Sequence, residues 1–169
     1  MKSYKANEIF QLTEFGGFPL NCQFLPKTPS PPTLDMPGIY MLFFDQQIVY
    51  IGLTDNQPAL KRIQKQLSTI TLRGEKICFN PESQVVVTNA PMLNIVFNTQ
   101  ILNKNTNGPK TSVNRVKFAA SKWELFSRLN EDILSRFVIV WFPQNECQDE
   151  ALLEIRNRWV RDLMPLCNG

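Results

Sequence analysis

The chain contains no histidine, so any chemistry that it performs must use tyrosine, lysine, arginine or carboxylate side chains. Tyr40 and Tyr50 are ten residues apart, and Arg62 follows after a further twelve. A phenol beside a cation or a metal ion can have its pKa lowered enough to take a proton from water. A guanidinium is a planar fork of donors that matches two non-bridging oxygens of a phosphate. These three residues are therefore candidates for binding a phosphate group and activating a water molecule.

The elements around the two tyrosines predict a β-hairpin. Residues 38 to 44 are β-formers, Asp45, Gln46 and Gln47 offer a turn, and residues 48 to 51 are β-forming again. If both tyrosines project to the same face of this hairpin, their two rings lie side by side and their hydroxyls form one polar cluster.

A helix is predicted after Gly52, with Thr54 or Asp55 as its cap. Its apolar residues recur at steps of three and four, and Arg62 and Gln66 share another face of it. The apolar positions are Leu60, Ile63, Leu67 and Ile70.

Two further elements follow near the end of the sequence. The continuous apolar run at residues 137 to 142 predicts a buried strand, which Pro143 ends. Asn145 with Gln148 resembles a capping box, and it predicts a final helix with apolar positions at Leu152, Ile155, Trp159 and Leu163.

The tripeptides Gly38-Ile39-Tyr40 and Tyr50-Ile51-Gly52, followed by a helix bearing Arg62, resemble the GIY-YIG family of phage homing endonucleases, excision-repair nucleases and some restriction enzymes. The resemblance covers residues 37 to 67 well and residues 136 to 169 moderately. It implies an α/β (α+β) domain with a small central, mostly antiparallel sheet of about three strands flanked by helices. It also implies an endonuclease that hydrolyses DNA phosphodiester bonds with one divalent metal ion, Mg²⁺ or Mn²⁺.

The resemblance carries specific roles to individual residues. Tyr40 would take the proton from the attacking water, Tyr50 would orient that water or the phosphate, and Arg62 would stabilise the charge of the pentacovalent state. Further contacts with the substrate are expected from Gly52, Lys61, Lys65, Gln66, Arg156 and Asn168.

The sequence departs from the family at two positions. Gln66 stands where the family has His or Tyr, and glutamine cannot exchange a proton usefully near pH 7. Arg156 falls at the position of the metal-binding glutamate, and a guanidinium repels Mg²⁺. Glu154 is the nearest substitute, although two residues turn a helix by about 200°, which should direct it away from Arg156. Asp149 is the alternative metal ligand, and Glu124 is a third.

Two interpretations of the site therefore stay open. The chain is a metal-dependent endonuclease that takes its acid from Glu154, Asp149 or elsewhere, or it is a degenerate domain that binds nucleic acid or a protein partner without cleavage. The enzyme is the preferred interpretation, and its expected ligand is DNA, most simply a duplex. A third class, a structural interaction module that uses a Pro-rich segment, is the remaining alternative.

The distribution of charge and proline indicates how the chain is organised. Residues 61 to 128 carry 11 Lys and Arg against 3 Asp and Glu, which indicates either a phosphate-facing patch or a solvated basic surface.

Proline is dense between residues 19 and 37, so residues 1 to 36 are predicted to form an N-terminal arm. Residues 37 to 169 are predicted to form the GIY-YIG-like domain, with an insertion at about 71 to 135. A protein partner or a second copy could bind through the insertion or the arm.

The composition bears on the cellular compartment. No apolar run approaches the roughly 18 residues that a membrane-spanning helix requires, and the first residues have no signal-peptide core, so an intracellular protein is expected. The four cysteines are widely spaced and form no C-x-x-C pair, which favours packed, reduced thiols over a zinc site.

Overall fold

The computed structural model describes residues 1–15, 21–71, 77–80, 85–88, 95–96, 113–126, 130–147 and 151–168. The strands in these ranges are β1 Lys2–Lys5, β2 Phe10–Phe15, β3 Asn21–Pro26, β4 Gly38–Phe44, β5 Gln47–Thr54, β6 Ile77–Asn80, β7 Val85–Thr88, β8 Ile95–Val96 and β9 Phe137–Pro143. The α-helices are α1 Ala6–Ile9, α2 Ala59–Ile70, α3 Val113–Ser121, α4 Trp123–Phe126, α5 Glu131–Leu134 and α6 Leu152–Leu163.

The main sheet has four strands in the order β1-β9-β4-β5, and every neighbouring pair is antiparallel. The protein is therefore of the α+β class, with a mostly antiparallel sheet. The sheet has one strand more than the three expected from the sequence, because β1 pairs with β9 through the register Lys2↔Trp141 to Lys5↔Val138. Part of the predicted N-terminal arm thus lies in the sheet, and another part forms the β2–β3 hairpin.

The β4–β5 hairpin turns over two residues, Asp45 and Gln46, whose φ angles are 47° and 69°. Two consecutive positive φ angles are typical of the type I′ turn, whose twist suits a two-residue hairpin. Arg136 holds the turn, because its Nε donates to Asp45 Oδ1 at 2.8 Å while its carbonyl oxygen accepts from the Asp45 N–H at 3.2 Å. This guanidinium also keeps the pKa of Asp45 below its ordinary value.

The two faces of the sheet are buried by different elements. Alternate residues of β4 and β9, including Tyr40 and Trp141, form a core with α2, the β2–β3 hairpin and helices α3 to α5. The residues between them, including Ile39 and Met41, pack on the opposite face against α6 through Ile155 and Trp159. Because side chains alternate along a strand, one run of apolar residues serves both cores.

Helix α2 shows the apolar stripe predicted for it, with Ile63, Leu67 and Ile70 buried, but its predicted cap was wrong. The helix begins at Ala59 after Pro58, whose side chain caps nothing. Thr54 is still paired with Gly38 in the sheet, so the chain turns into the helix only after the following residues have left the strand.

The final helix also begins later than the predicted capping box would place it. Asn145 lies in a short 3-10 turn, Gln144–Glu146, while α6 begins at Leu152 without a side-chain cap. Gln148 lies outside the described residues. The strand predicted at residues 137 to 142 is confirmed as β9.

Within the predicted insertion, β6, β7 and β8 form a small antiparallel sheet of their own. The insertion also supplies α3 and α4, which reach the core through Phe118 and Phe126. No helix in the described ranges combines the length and the apolar character that a membrane span would need.

Candidate functional site

Tyr40 lies at the centre of the candidate site, on the middle of strand β4. Its neighbours across the sheet are Gly52 on β5 and Trp141 on β9, and only 1% of the residue is exposed. A Cβ placed on Gly52 would lie 2.1 Å from Tyr40 Cζ and 2.3 Å from its hydroxyl oxygen. The ring of Tyr40 therefore occupies the space that the missing side chain of Gly52 leaves. Gly52 faces the ring of Tyr40, and a contact of Gly52 with substrate remains a prediction.

Tyr50 lies beside Tyr40 on the same face of the sheet. It pairs with Leu42, two residues along β4 from Tyr40, and residues two apart on a strand share a face. The two ring centroids are 6.1 Å apart, with the ring planes tilted by 37°. Tyr50 is half-buried and Tyr40 is buried, so Tyr50 lies nearer the surface and Tyr40 lies deeper in the protein.

Helix α2 lies across this face and contributes Arg62 and Gln66, one turn apart. The Nε of Arg62 and the Oε1 of Gln66 are both sealed from solvent, and neither has a hydrogen-bond partner among the described residues. Gln66 as a whole is only 9% exposed. A buried polar atom without a partner costs free energy, and such atoms mark places where a ligand or a water molecule can complete the bonding.

Arg115, on α3, reaches the same site and was missed by the sequence analysis. Its guanidinium carbon lies 4.9 Å from the centroid of the Tyr50 ring, within the range of a cation–π interaction. Its Nε donates to the carbonyl oxygen of Cys167 at 3.4 Å. The basic excess of residues 61 to 128 was the only signal for it, and that excess does not single out one arginine.

Arg156 approaches from α6, which covers the opposite face of the sheet. Its Nε donates to the carbonyl oxygen of Ile51 at 3.4 Å, and its Nη1 donates to Asn157 Oδ1 at 3.1 Å. Its positive charge is one of those that lower the pKa of Tyr40, so it acts on the phenol electrostatically. Tyr40, Tyr50, Arg62, Arg115 and Arg156 are called the phenol–guanidinium cluster below.

Charge and burial act on Tyr40 in opposite directions. Burial raises the pKa of Tyr40 above its ordinary value of 10.0, and the nearby Tyr50 raises it further. The positive charges of Arg62, Arg115 and Arg156 each lower that pKa, but they do not outweigh burial. Tyr40 is therefore a neutral phenol at pH 7, which can donate a hydrogen bond but is not ready to accept a proton from water.

Asn168 was expected to contact substrate, and the structure places it against the backbone of β5. Its Oδ1 accepts from the N–H of Ile51 at 2.7 Å, and its Nδ2 donates to the carbonyl oxygen of Ile51 at 2.9 Å. The N–H groups of Leu166 and Cys167 donate to the carbonyls of Ile48 and Val49 at 3.2 and 2.8 Å. Asn168 thereby fixes the strand that carries Tyr50, and a role for it in binding substrate remains a prediction.

The remaining predicted contacts lie at the edge of the site or outside it. Lys61 and Lys65 are exposed on α2. Glu154, the first choice for a metal ligand, is exposed in the first turn of α6, and Asp149 lies outside the described residues. Glu124 is exposed on α4. Among the residues that the structure describes, no three His, Cys, Asp or Glu side chains are grouped closely enough to hold a metal ion.

The arrangement suits the recognition of an anion. Two phenols and three guanidiniums supply hydrogen-bond donors and positive charge, and an amide from Gln66 adjoins them on α2. No protein-family model, no curated protein and no solved structure matches the chain.

Proposed function

We propose that the phenol–guanidinium cluster binds phosphate groups of nucleic acid, with DNA as the ligand. The observation that carries the proposal is that Arg115 lies 4.9 Å from the centroid of the Tyr50 ring, which is 6.1 Å from that of Tyr40. The positive charges of Arg62 and Arg156, from two other helices, also lower the pKa of Tyr40. Arg62 Nε lies there without a partner among the described residues. A phosphate bound beside these groups would be attracted by their positive charge and would accept hydrogen bonds from them.

The surface beside the cluster extends the site along a polyanion. Helix α2 carries Lys61, Arg62 and Lys65 and has no acidic residue. Exposed lysines one turn apart can each neutralise a backbone phosphate and release a counterion. A nucleic-acid strand whose phosphate lies in the cluster would pass over this side of α2, where it would meet Lys61 and Lys65, two of the basic residues between 61 and 128.

Hydrolysis of a DNA phosphodiester is the second candidate function, because the two phenols share one face of the hairpin with Arg62 nearby. A divalent ion would supply the activated water and would lower the pKa of Tyr40. Mg²⁺ prefers several oxygen ligands, whereas among the described residues no three His, Cys, Asp or Glu side chains are grouped closely enough to hold a metal ion. The described residues thus do not fit a magnesium centre around Tyr40, and binding without cleavage is the better-supported proposal.

Salt-dependent binding tests the first proposal. Purified protein is titrated into a fluorescent duplex of about 20 base pairs, and anisotropy is measured at several salt concentrations between about 50 and 200 mM. Affinity should fall steeply with salt, and Arg62→Ala should lower both the affinity and the salt slope, the latter by about 1. Arg62→Lys keeps the positive charge but loses the planar pair of guanidinium donors. Compared with Arg62→Ala, it should therefore recover the salt dependence of the parent but only part of the affinity.

Arg161→Ala is the matched control for this experiment. Arg161 is exposed on α6 and paired with Asp162. It lies five residues after Arg156, which turns it about 140° away on the helix. The control should bind almost as tightly as the parent. Binding that is absent, or that does not respond to salt, would remove nucleic acid as the partner.

A plasmid-nicking assay with Mg²⁺ or Mn²⁺ tests the second candidate. If the chain is an endonuclease, nicking should require the ion, vanish in Tyr40→Phe and fall by several orders of magnitude in Arg62→Ala. Metal-dependent nicking that survives both substitutions would show that the cluster is not the catalytic site. If the parent does not cleave, Arg156→Glu is the informative variant. It restores a carboxylate at the position where the GIY-YIG family has its metal-binding glutamate, and it should create Mn²⁺ binding detectable by calorimetry.

A further inference from the structure

Apolar side chains that are exposed to solvent are concentrated on α6 and directly after it. Among the residues that the structure describes, five large hydrophobic side chains are exposed, and four of them belong to this part of the chain: Leu153, Leu163, Met164 and Leu166. Scattered exposed leucines are ordinary on protein surfaces, whereas a concentration of apolar side chains marks a surface that another molecule covers. Helix α6 is therefore the candidate for an interface.

The two most exposed of these residues, Leu153 and Met164, lie on the side of α6 that is turned away from the sheet. Ile155 packs against the sheet, and Leu153 is two residues earlier, which places it about 200° round the helix. Val160 follows Leu153 by almost two full turns, so it returns to nearly the same side. The N–H of Met164 donates to the carbonyl of Val160 at 3.1 Å, so Met164 lies one turn further. Leu153, Val160 and Met164 are called the α6 stripe below.

The α6 stripe is poorly covered along its length. Leu153 is 55% exposed, Met164 is 78% exposed, and Val160 between them is half-buried. An outward helix face that contacts only water normally carries polar side chains. The α6 stripe instead presents apolar surface at both ends of the helix, so a molecule that covers it must extend along the whole of α6.

The charges beside the α6 stripe complement those of a second copy of the same helix. Glu154 and Arg161 are exposed on one flank of the stripe, almost two full turns apart. When two identical helices pack antiparallel about a two-fold axis, the start of each lies beside the end of the other. Glu154 of each copy then faces Arg161 of the other. A parallel pair would instead bring Glu154 against Glu154 and Arg161 against Arg161, which is repulsive.

The apolar contacts fit the same antiparallel arrangement. With Glu154 opposite Arg161, Leu153 of each copy lies opposite Met164 of the other, because both pairs of positions are centred within one residue of position 158. The existing partner of Arg161 does not prevent the new contact. Its Nε donates to Asp162 Oδ1 at 2.9 Å, and the guanidinium has further N–H donors for a carboxylate of the second copy. One axis therefore satisfies both the apolar and the charged pairs.

We propose that the outward side of α6 is an interface through which two copies of this chain form an antiparallel, two-fold dimer. The helix has 12 residues and is about 18 Å long, so the contact is small and the dissociation constant should be micromolar or weaker. The contact uses neither the N-terminal arm nor the insertion, where a second copy was expected from the sequence. Helix α2 and its lysines lie on the other face of the sheet, so the inference is independent of the proposed function.

Sedimentation velocity at protein concentrations from about 10 to about 1,000 µM tests the dimer, and the parent should pass from monomer towards dimer in this range. Leu153→Gln and Met164→Asn should each weaken dimerisation at least about tenfold, because each apolar contact occurs twice in a symmetric dimer. Asparagine adopts the left-handed conformation of Met164, whose φ is 46°, more readily than methionine does, so Met164→Asn should fold as stably as the parent.

Leu166→Gln is the matched control for the loss of an exposed apolar side chain. Leu166 is 44% exposed, and its N–H donates to the carbonyl of Ile48 on β5, away from the outward side of α6. This variant should dimerise as the parent does. If it weakens the dimer as much as Leu153→Gln does, the α6 stripe is not the contact and the proposal is wrong.

Charge reversal shows which residues face each other. Glu154→Arg sets arginine against arginine in both contacts of the dimer, and Arg161→Glu sets glutamate against glutamate, so each variant alone should dimerise at least about tenfold more weakly. An equimolar mixture of the two variants should recover the affinity of the parent as a mixed dimer, because each copy then offers the charge that the other lacks. The double variant Glu154→Arg/Arg161→Glu should recover it as well.

Three results would overturn the proposal. A parent that stays monomeric at the highest concentration would leave the α6 stripe to a different partner. A dimer that is unaffected by Leu153→Gln and Met164→Asn would form through another surface. Charge-reversal variants that are not rescued by mixing would exclude the antiparallel pairing of Glu154 with Arg161.

Discussion

Replacing Gly52 with alanine should disturb this protein through one side chain, the ring of Tyr40. The added Cβ would lie 2.1, 2.3 and 2.5 Å from Tyr40 Cζ, its hydroxyl oxygen and Cε1, so the ring must move. Trp141 is the partner of Tyr40 on the other side, which limits the movement. Overpacking of a filled core costs about 1–3 kcal/mol, and the short distances place Gly52→Ala at the upper end, about 2–3 kcal/mol.

A second substitution shows whether this reasoning is correct. Tyr40→Leu removes all three atoms that the new Cβ would meet. In that background the clash is gone, and alanine in a strand is favoured over glycine by about 0.5–1 kcal/mol. Gly52→Ala should therefore change from destabilising to mildly stabilising, with a coupling energy of about 3 kcal/mol between the two positions.

Urea denaturation of the four proteins, followed by tryptophan fluorescence, measures this coupling. Gly38→Ala is the matched control, because its Cβ would meet Phe142 O at 2.3 Å and the ring of Trp141 at 2.7 Å instead of Tyr40. Tyr40→Leu should not rescue Gly38→Ala. The reasoning is refuted if Gly52→Ala is equally destabilising with and without the Tyr40 ring. If Gly52→Ala by itself also abolishes nucleic-acid binding, the binding depends on the position of the Tyr40 ring.

Three other predictions concern the surroundings of the cluster. Because the pKa of Tyr40 is raised above 10.0, the folded state keeps its proton at pH values where the unfolded chain loses it. The free energy of unfolding should therefore fall as pH rises above 10, by at most about 1.4 kcal/mol per pH unit from this group, and Tyr40→Phe should remove that share. Burial raises the pKa of Cys167 to about 12. In the folded protein at pH 8, the Cys167 thiol should therefore react with iodoacetamide far more slowly than that of half-buried Cys147. Peptide mass spectrometry of the alkylated protein measures the two rates. Asn168→Ala leaves the N–H of Ile51 without its side-chain partner, while the carbonyl of Ile51 keeps only the longer hydrogen bond from Arg156. The substitution should cost about 1–3 kcal/mol in urea denaturation, whereas a change below about 0.3 kcal/mol would contradict this role of Asn168.

The parts of the fold that could be predicted are those that local pattern determines. The hairpin of β4 and β5, the apolar stripe of α2 and the buried strand β9 all follow from residue types within a few positions of one another. The caps could not be predicted in the same way. Thr54 has a suitable side chain for a cap, but its pairing with Gly38 keeps it in the sheet. Pairing between distant strands competes with local capping, and a single sequence does not show which prevails.

The candidate site was predictable to the extent that it depends on the hairpin. Tyr40 and Tyr50 lie on one face because antiparallel pairing fixes the direction of alternate side chains. Arg115 comes from α3, more than 40 residues beyond α2 in the sequence, and only tertiary packing brings it over Tyr50. The sheet position of Lys2–Lys5 depends in the same way on pairing with β9, at the opposite end of the chain.

The hydrogen bonds between residues 166–168 and strand β5 also protect the outer edge of the sheet. An edge strand exposes unpaired N–H and C=O groups, and another chain can add to them and begin aggregation. Here the N–H groups of Leu166 and Cys167 and the side chain of Asn168 occupy the carbonyls of Ile48, Val49 and Ile51. The carbonyl of Cys167 in turn accepts from Arg115, so the short segment that covers the sheet edge also positions the cation that we propose to bind the ligand. Changes in this segment should thus alter solubility and anion recognition together.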